Sequence, residues 1–201
     1  MQIVLYPHPA LRWKSVAITQ ITAELRETVR EMFELMYAAD GIGLAANQVG
    51  LPYRLFVLNL TGKREEKDQE HVFINPEIVK RKGTQEAEEG CLSIPKVYGQ
   101  VRRATEIVVE AFNLEGEGFE LAIDDLGSRA IQHETDHLDG TLFTDRLSEV
   151  ARREMATTLA DFESQFRRQQ ELGVMLSNQQ IALQLRRLAE AQFPSRPAAV
   201  Q

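Results

Sequence analysis

The segment QHETDHLDG, residues 132–140, is the most informative part of the chain for its fold. Two aspartates, Asp124 and Asp125, precede it, and a glycine, Gly140, closes it. Acidic residues favour helix starts and glycine favours helix ends, so the sequence predicts a helix over roughly residues 125–138. Side chains four residues apart on such a helix lie on one face, one turn apart.

His133 and His137 have this spacing. Their imidazoles would lie on the same face of the helix and could bind one metal ion. Glu134 lies beside the first histidine, where it could take a proton from water that the ion activates. Solvated surface histidines are the alternative, but H-E-x-x-H arises by chance in only about 1% of such sequences. The pattern therefore predicts a metal-dependent hydrolytic site.

A third metal ligand is needed, because catalytic divalent ions usually have three protein ligands. In metzincin peptidases it is a histidine at the position that Phe143 occupies here, so that pattern fails. A downstream glutamate is possible, and Glu149, Glu154 and Glu163 are available. Cys91 is the only cysteine, and a thiolate binds zinc or iron(II) well. A lone cysteine is more often a buried core residue, so the residues alone leave the choice open.

The segment GIGLAANQ, residues 41–48, is too rich in glycine for a helix interior. It is either a helix end with a tight loop or a loop whose amides and Gln48 side chain line a polar cleft. An amphipathic helix is predicted before it, over residues 22–39, with Thr22 as N-cap and Gly41 at its end. Its apolar stripe consists of Leu25, Val29, Met32, Phe33 and Met36.

Four segments are strand-like, namely residues 54–60, 72–80, 105–113 and 118–123. Pro76 breaks the second, which fits a sheet edge or a bend. Gly116 suits a hairpin turn between the last two. Strand propensity almost disappears after residue 147. Helices are predicted there over residues 149–171 and 177–192, followed by a frayed tail over residues 194–201. Ser177 and Gln180 resemble a capping box at the start of the second helix.

The chain has 201 residues and a formal net charge of −7. This length suits one domain, or one domain with an appendage. No run approaches 18 apolar residues, so we expect no membrane-spanning helix, and the acidic charge predicts no DNA partner. The single cysteine excludes an intramolecular disulfide, and the N-terminus lacks a secretory signal pattern. We therefore expect a cytoplasmic protein.

Three segments together resemble the peptide deformylase family, namely GIGLAANQ (41–48), EGCLS (89–93) and QHETDHLDG (132–140). They match the family pattern G-x-G-L-A-A-x-Q, E-G-C-L-S and Q-H-E-x-D-H-L-x-G at every fixed position and in the same order. The opening YPHPALR is also similar to the family's start, and the resemblance covers roughly residues 1–150. It implies an α+β fold, with mixed or antiparallel sheets around a central metal-binding helix. We expect a catalytic domain over 1–148 and a helical C-terminal extension over 149–201.

The resemblance also implies the ligands of one divalent metal ion, which would be Cys91, His133 and His137. The ion is typically iron(II) in this family, and nickel, cobalt or zinc can substitute. Glu134 would take the proton of the attacking water and pass it to the leaving amine. The Gln48 side-chain amide and the Leu92 backbone N–H would stabilise the developing oxyanion. The substrates would be N-formylmethionyl peptides of newly synthesised polypeptides, and the products formate and a free N-terminal methionine.

The substrate's methionine side chain would lie in an apolar pocket lined by Ile42, Leu126 and Ala130. Arg129 could add its aliphatic stem to this pocket. Main-chain groups around Gly43 and Gly90 would pair with an extended peptide, as an added strand does.

Two features depart from the family pattern or leave alternatives open. Arg102 stands where many relatives have proline. The extension carries paired arginines at 152–153, 167–168 and 186–187, which could form a solvated helical face, dock on the ribosome or mediate oligomerisation. Two rival functions also stay open: a metallopeptidase with H-E-x-x-H chemistry, and a non-catalytic, ribosome-associated binding protein.

Overall fold

The computed structural model describes residues 1–191, so the predicted tail over 194–201 lies outside the described residues. Four α-helices and seven strands form within them. In chain order these are α1 (Ala23–Ala38), β1 (Gly43–Ala45), β2 (Leu55–Leu58), β3 (His71–Lys82), β4 (Gln85–Cys91), β5 (Ile94–Arg103), β6 (Glu106–Phe112), β7 (Gly118–Asp124), α2 (Asp125–Leu138), α3 (Glu149–Glu171) and α4 (Asn178–Ala191). Short 3-10 helices lie at Pro9–Arg12, Ala46–Val49, Lys67–Gln69 and Phe143–Arg146.

The strands form two separate sheets. The larger has the order β1-β2-β3-β6-β7, and the smaller is the hairpin of β4 and β5. Neighbouring strands pair antiparallel in both sheets. The predicted α+β fold class is therefore confirmed, with antiparallel rather than mixed sheets. Because β1 pairs with β2 alone, β1 is an edge strand.

Helices α1 and α2 cover opposite faces of the larger sheet. Strand β2 shows this, because Leu55 and Val57 pack with α1 whereas the intervening Phe56 packs with α2. Ile131 of α2 belongs to the same apolar cluster as Phe56 and is fully buried. The opposite side of α2 contacts the smaller sheet through hydrogen bonds to Glu89 of β4. The predicted metal-binding helix thus lies between the two sheets.

Helices α3 and α4 cover the smaller sheet and the N-terminal segment. Met155 of α3 packs into the apolar cluster of the smaller sheet, and Phe166 forms a second cluster with Ile181 of α4. Leu185 is buried in this second cluster, whereas Leu183 is 47% exposed. No helix within residues 1–191 combines the length and the apolar character that crossing a membrane requires.

The helix limits largely follow the sequence. Thr22 caps α1 by accepting a hydrogen bond from the Leu25 N–H at 3.2 Å, as predicted. The expectation that Gly41 ends this helix is wrong, because Asp40 takes the left-handed conformation with φ 55°. Helix α2 spans the predicted residues, and Ser177 and Gln180 exchange the hydrogen bonds of a capping box before α4.

The strand predictions hold for β2, β3, β6 and β7, but the sequence missed β1, β4 and β5. Strand β3 is central in its sheet, so Pro76 lies at a bend rather than an edge, where the register shifts between Ile74 and Glu77. Strand β4 was not predicted because its sequence is rich in acidic residues, of which only Glu89 is buried.

Gly140, which follows α2, should tolerate alanine much less well than Gly173. Both have positive φ, 72° and 69°, so alanine is strained at either position. A Cβ at Gly140 would lie 2.7 Å from the backbone oxygen of Arg12, whereas one at Gly173 would meet no atom of the described residues within 4 Å. Gly140→Ala should therefore lower the free energy of unfolding by about 1–3 kcal/mol more than Gly173→Ala, as overpacking typically does. Equal losses in chemical denaturation would contradict this prediction.

Protonation of His8 should weaken the fold in mild acid. Its ring contacts Phe166 edge-on at 6.0 Å between centroids, and burial lowers its pKa from 6.5 to about 4. Between these values the unfolded chain binds a proton that the folded chain does not, so stability falls as the pH drops below about 6.5. His8→Gln should lose less thermal stability than the wild type between about pH 7 and pH 5. His71→Gln, at an exposed histidine, is the control and should behave like the wild type.

Candidate metal centre and active site

Helix α2 and the end of β4 bring together one thiol and two imidazoles. The potential ligand atoms of Cys91, His133 and His137 all lie within 4.8 Å of one another. The Cys91 Sγ lies 3.3 Å from the His137 Nε2. One thiolate and two imidazoles are a donor set that suits zinc or iron(II), with a position left open for water or substrate. The three residues therefore fit a catalytic metal ion.

The other ligand candidates lie elsewhere. Glu149, Glu154 and Glu163 all lie on α3, where Glu163 accepts a hydrogen bond from the Tyr6 hydroxyl at 2.7 Å. Phe143 stacks on the His133 ring, with 6.3 Å between centroids. Its side chain therefore packs against a predicted metal ligand and is not one itself. Within residues 1–191, the Cys–His–His group is the one cluster of three such side chains close enough to hold an ion.

Glu134 is buried beside these ligands. Its Oε2 and the His137 Nδ1 are the buried side-chain atoms of the described residues that have no hydrogen-bond partner. Gly43 of β1 makes room for this carboxylate, because a Cβ there would lie 2.5 Å from the Glu134 Oε1. The structure thus places an unpartnered carboxylate oxygen next to the metal cluster, where it can accept a proton.

Burial shifts the pKa values of the helix residues. It raises the pKa of Glu134 to about 7, because the carboxylate is less well solvated there than in water. It lowers the pKa of His137 well below 6.5. Burial also lowers the pKa of His133, but hydrogen bonds to Cys91 and Glu89 outweigh this and raise it to about 10.

Gln48 lies next to the cysteine. The backbone N–H of Ala45 donates to its side-chain Oε1 at 2.8 Å, which fixes the orientation of the amide. Its Nε2 then lies 3.4 Å from the Cys91 Sγ and 3.3 Å from the Ser93 Oγ. Leu92 follows Cys91 directly in the tight turn between β4 and β5, where Cys91 pairs with Ile94. Gln48 and Leu92, the two residues predicted to supply the oxyanion donors, therefore both lie next to Cys91.

The sequence analysis missed Glu89, whose buried carboxylate holds the first histidine. Its Oε2 lies 3.0 Å from the His133 Nδ1. The Arg103 Nε donates to Glu89 Oε1 at 2.6 Å, and so does the Arg129 Nη1. Burial raises the pKa of Glu89, but the bonds to Arg103 and His133 outweigh this and lower it to about 2. The signal for this role was the position of Glu89 two residues before the cysteine, within EGCLS.

A cleft of about 770 Å³ opens onto the metal cluster. It contains all five predicted substrate-binding residues, namely Ile42, Gly43, Gly90, Leu126 and Ala130. Leu126 is 52% exposed at the mouth, whereas Ala130 is buried. Arg129 also lines the cleft, but its guanidinium is tied to Glu89 and to the backbone oxygen of Val101. A contribution of its aliphatic stem to the pocket stays a prediction, and the guanidinium contacts are a further role that the sequence did not indicate.

Arg102, which departs from the family pattern, lies in β5 opposite Glu86 of β4. The β4–β5 ladder runs through this position without a register shift, and the shift comes only between Gly90 and Cys91. The departure therefore leaves the hairpin that carries the cysteine intact.

Comparisons with known proteins agree with this geometry. A family model described as polypeptide deformylase matches residues 1–153. The chain is 42% identical over 184 residues to a peptide deformylase of Rhodopirellula baltica, covering 92% of this chain and 91% of the relative. It is 51% identical over 150 residues to a peptide deformylase of Acidobacterium capsulatum, covering 75% and 88%.

Solved structures give the same result. A peptide deformylase of Plasmodium falciparum aligns with a TM-score of 0.80 at 35% identity, covering 83% of this chain and 97% of that one. Peptide deformylase 1B of Arabidopsis thaliana, in complex with an inhibitor, aligns with a TM-score of 0.81 at 38% identity, covering 86% and 94%. Since the family model spans three quarters of the sequence and includes every residue of the metal cluster, the chain belongs to the peptide deformylase family.

Proposed function

We propose that this chain hydrolyses the N-formyl group from the N-terminal methionine of newly synthesised polypeptides and releases formate. The observation that carries the proposal is the Cys91–His133–His137 cluster beside the buried carboxylate of Glu134, at the end of an open cleft. A peptidase of the H-E-x-x-H class would need a histidine where Phe143 stands, or a glutamate from α3. A non-catalytic binding protein would need neither the cluster nor Glu134.

Cys91, His133 and His137 would hold one divalent ion, which we propose to be iron(II), with nickel, cobalt or zinc as substitutes. Such an ion polarises a carbonyl and lowers the pKa of water so that water becomes a nucleophile near neutral pH. A thiolate donates more charge than a third imidazole would. The site therefore suits the formyl group, which is small and more electrophilic than a peptide carbonyl.

Glu134 is the proposed proton carrier. Its unpartnered Oε2 would accept a proton from water as the water oxygen bonds to the formyl carbon. The same proton would then pass to the amine nitrogen as the carbon–nitrogen bond breaks. Formate and a free amino terminus result, so Glu134 ends in its starting state.

Gln48 and the Leu92 backbone N–H are the proposed donors to the formyl oxygen as it gains negative charge. Because the Gln48 Oε1 is held by Ala45, its Nε2 is already directed to the cluster before substrate binds. Donors fixed in advance need no reorganisation during the reaction, which is why they stabilise a transition state more than the ground state.

The cleft supports the proposed mode of peptide binding. Ile42, Leu126 and Ala130 would enclose the methionine side chain. Gly43 lies in the edge strand β1, and Gly90 lies in β4, so an extended peptide between them could add to a sheet edge through main-chain hydrogen bonds. This mode places sequence selectivity at the methionine and leaves the following residues variable, as a general processing enzyme requires.

We also propose that residues 1–148 form the catalytic domain and residues 149–201 a helical extension. Contact of the extension with the ribosome and a cytoplasmic location stay predictions from the sequence. The exposed arginine pairs of α3 and α4 are compatible with a solvated face as well as with a polyanionic partner.

Replacement of Glu134 should stop formate release without removing the metal. Glu134→Gln keeps the size of the side chain but cannot carry the proton, so kcat should fall by about 10²–10⁴-fold on a formyl-methionyl tripeptide. The measurement is formate release by anaerobic, iron(II)-loaded protein, with metal content determined in parallel. Glu154→Gln, at an exposed glutamate of α3, is the matched control and should keep wild-type activity. No formate from fully metallated wild type, or cleavage of unformylated peptides, would overturn the proposed function.

Loss of the thiolate should weaken metal binding. Cys91→Ser replaces a strong soft ligand by a neutral hydroxyl. Its affinity for zinc should fall by more than the about 10- to 100-fold that loss of an outer-shell partner causes. Competition with a chromophoric chelator measures this, and Ser93→Ala is the control because Ser93 contacts Gln48 without belonging to the cluster. Unchanged affinity in Cys91→Ser would show that a different residue supplies the third ligand.

A further inference from the structure

A row of charged side chains runs from the protein surface to the metal cluster. It begins at Arg146 in the 3-10 helix before α3 and passes through Asp136, Arg103 and Glu89 to His133. We call these four charged residues, Arg146, Asp136, Arg103 and Glu89, the ion-pair chain. Arg146 is 43% exposed at its side chain, whereas Arg103 is 2% exposed.

The inner end of the ion-pair chain sets the position of a metal ligand. Glu89 accepts at the His133 Nδ1, so the other ring nitrogen, Nε2, is left for a metal ion. Arg103 grips the same carboxylate with two donors, Nε to Oε1 at 2.6 Å and Nη2 to Oε2 at 2.8 Å. A bidentate pair fixes orientation as well as distance. The plane of Glu89, and with it the His133 ring, is therefore determined by Arg103.

Arg103 is in turn shared between two carboxylates. Its remaining Nη1 donates to the Asp136 Oδ2 at 2.6 Å. Asp136 also accepts two hydrogen bonds from Arg146, from Nε to Oδ2 and from Nη2 to Oδ1. Without Arg146, Asp136 would keep a single ion-pair partner among residues 1–191, which is Arg103. A nearly buried carboxylate with half its partners would draw the Arg103 guanidinium toward itself and away from Glu89.

We propose that Arg146 is a positioning residue for the metal ligand His133, acting through Asp136, Arg103 and Glu89. The inference rests on the proposed function, because it takes Cys91, His133 and His137 as the metal ligands. Arg146 is neither a lining residue of the cleft nor a member of the metal cluster, and its effect is to keep Arg103 centred between its two carboxylates. Arg146 precedes Ser148, the N-cap of α3, by two residues, so the start of the helical extension is tied to the metal site.

A purely structural role for Arg146 would give a different experimental result. If Arg146 only anchored its 3-10 helix, the neighbouring ion pair between Arg12 and Asp145 would serve the same purpose. Arg12 is equally exposed, at 45%, and binds the same 3-10 helix, but it makes no hydrogen bond to the ion-pair chain. Arg12→Gln is therefore the matched control for Arg146→Gln.

The test is cobalt(II) binding to the metal-free full-length chain. Affinity is measured by chelator competition, and ligand geometry by the visible d–d and thiolate charge-transfer bands. Arg146→Gln should weaken cobalt(II) affinity by about 3- to 10-fold, less than the about 10- to 100-fold typical of a direct outer-shell partner, and should shift the d–d bands. Arg146→Lys keeps the charge without the bidentate fork, so it should lie between Arg146→Gln and the wild type. Arg12→Gln should match the wild type in both readouts.

Wild-type affinity and spectra in both Arg146 variants would overturn the inference, and so would an equal change in Arg12→Gln. If Arg146→Gln does not fold, the comparison of Arg146→Lys with Arg12→Gln decides by the same criteria. Failure of the proposed function looks different, because the wild type itself would then bind cobalt(II) without a thiolate charge-transfer band.

Discussion

The buried carboxylate of Glu89 is the interaction on which the active site depends. It joins three elements, because Glu89 belongs to β4, Arg103 to β5, and Arg129 and His133 to α2. Removing one partner of a buried ion pair typically costs about 3–5 kcal/mol, since the remaining charge is left without compensation. Because breaking these ion pairs is so unfavourable, the β4–β5 hairpin stays packed against α2. Cys91 ends β4, at the turn of that hairpin, and it therefore reaches the two histidines.

The partners on the two sides of α2 explain why so polar a helix can be buried. The side of α2 that faces the larger sheet is apolar, as Ile131 shows, and is stabilised by ordinary packing. The opposite side carries imidazoles and carboxylates, each of which needs a hydrogen-bond or metal partner when it is out of water. Glu89 is hydrogen-bonded to the His133 ring, whereas the Oε2 of Glu134 has no partner among the described residues. Among residues 1–191, this oxygen and the His137 Nδ1 are the two buried side-chain atoms without a partner, and the proposed mechanism assigns a proton to the oxygen.

The sequence predicted what local spacing determines. Helix α2 and its paired histidines follow from the spacing in HETDH, and the β6–β7 hairpin follows from alternation around Gly116. The β4–β5 hairpin could not be predicted in this way, because β4 is acidic and its one buried acid, Glu89, is stabilised by residues distant in sequence. Asp40 likewise took the left-handed position expected of Gly41, since a helix end needs that conformation and aspartate tolerates it. Long-range ion pairs thus determine the place of the β4–β5 hairpin, which periodicity missed.

One sulfur and two imidazole nitrogens are the proposed ligands of the metal ion, and the rest of the site is arranged around them. X-ray absorption spectroscopy of the zinc-loaded chain tests this assignment most directly, because sulfur and nitrogen scatter at distinct distances. We expect one sulfur at about 2.3 Å and two imidazole nitrogens at about 2.0–2.1 Å, with one further light-atom ligand. A zinc shell of nitrogen and oxygen alone would contradict the assignment of Cys91, and with it the account of how Glu89 and the hairpin assemble the site.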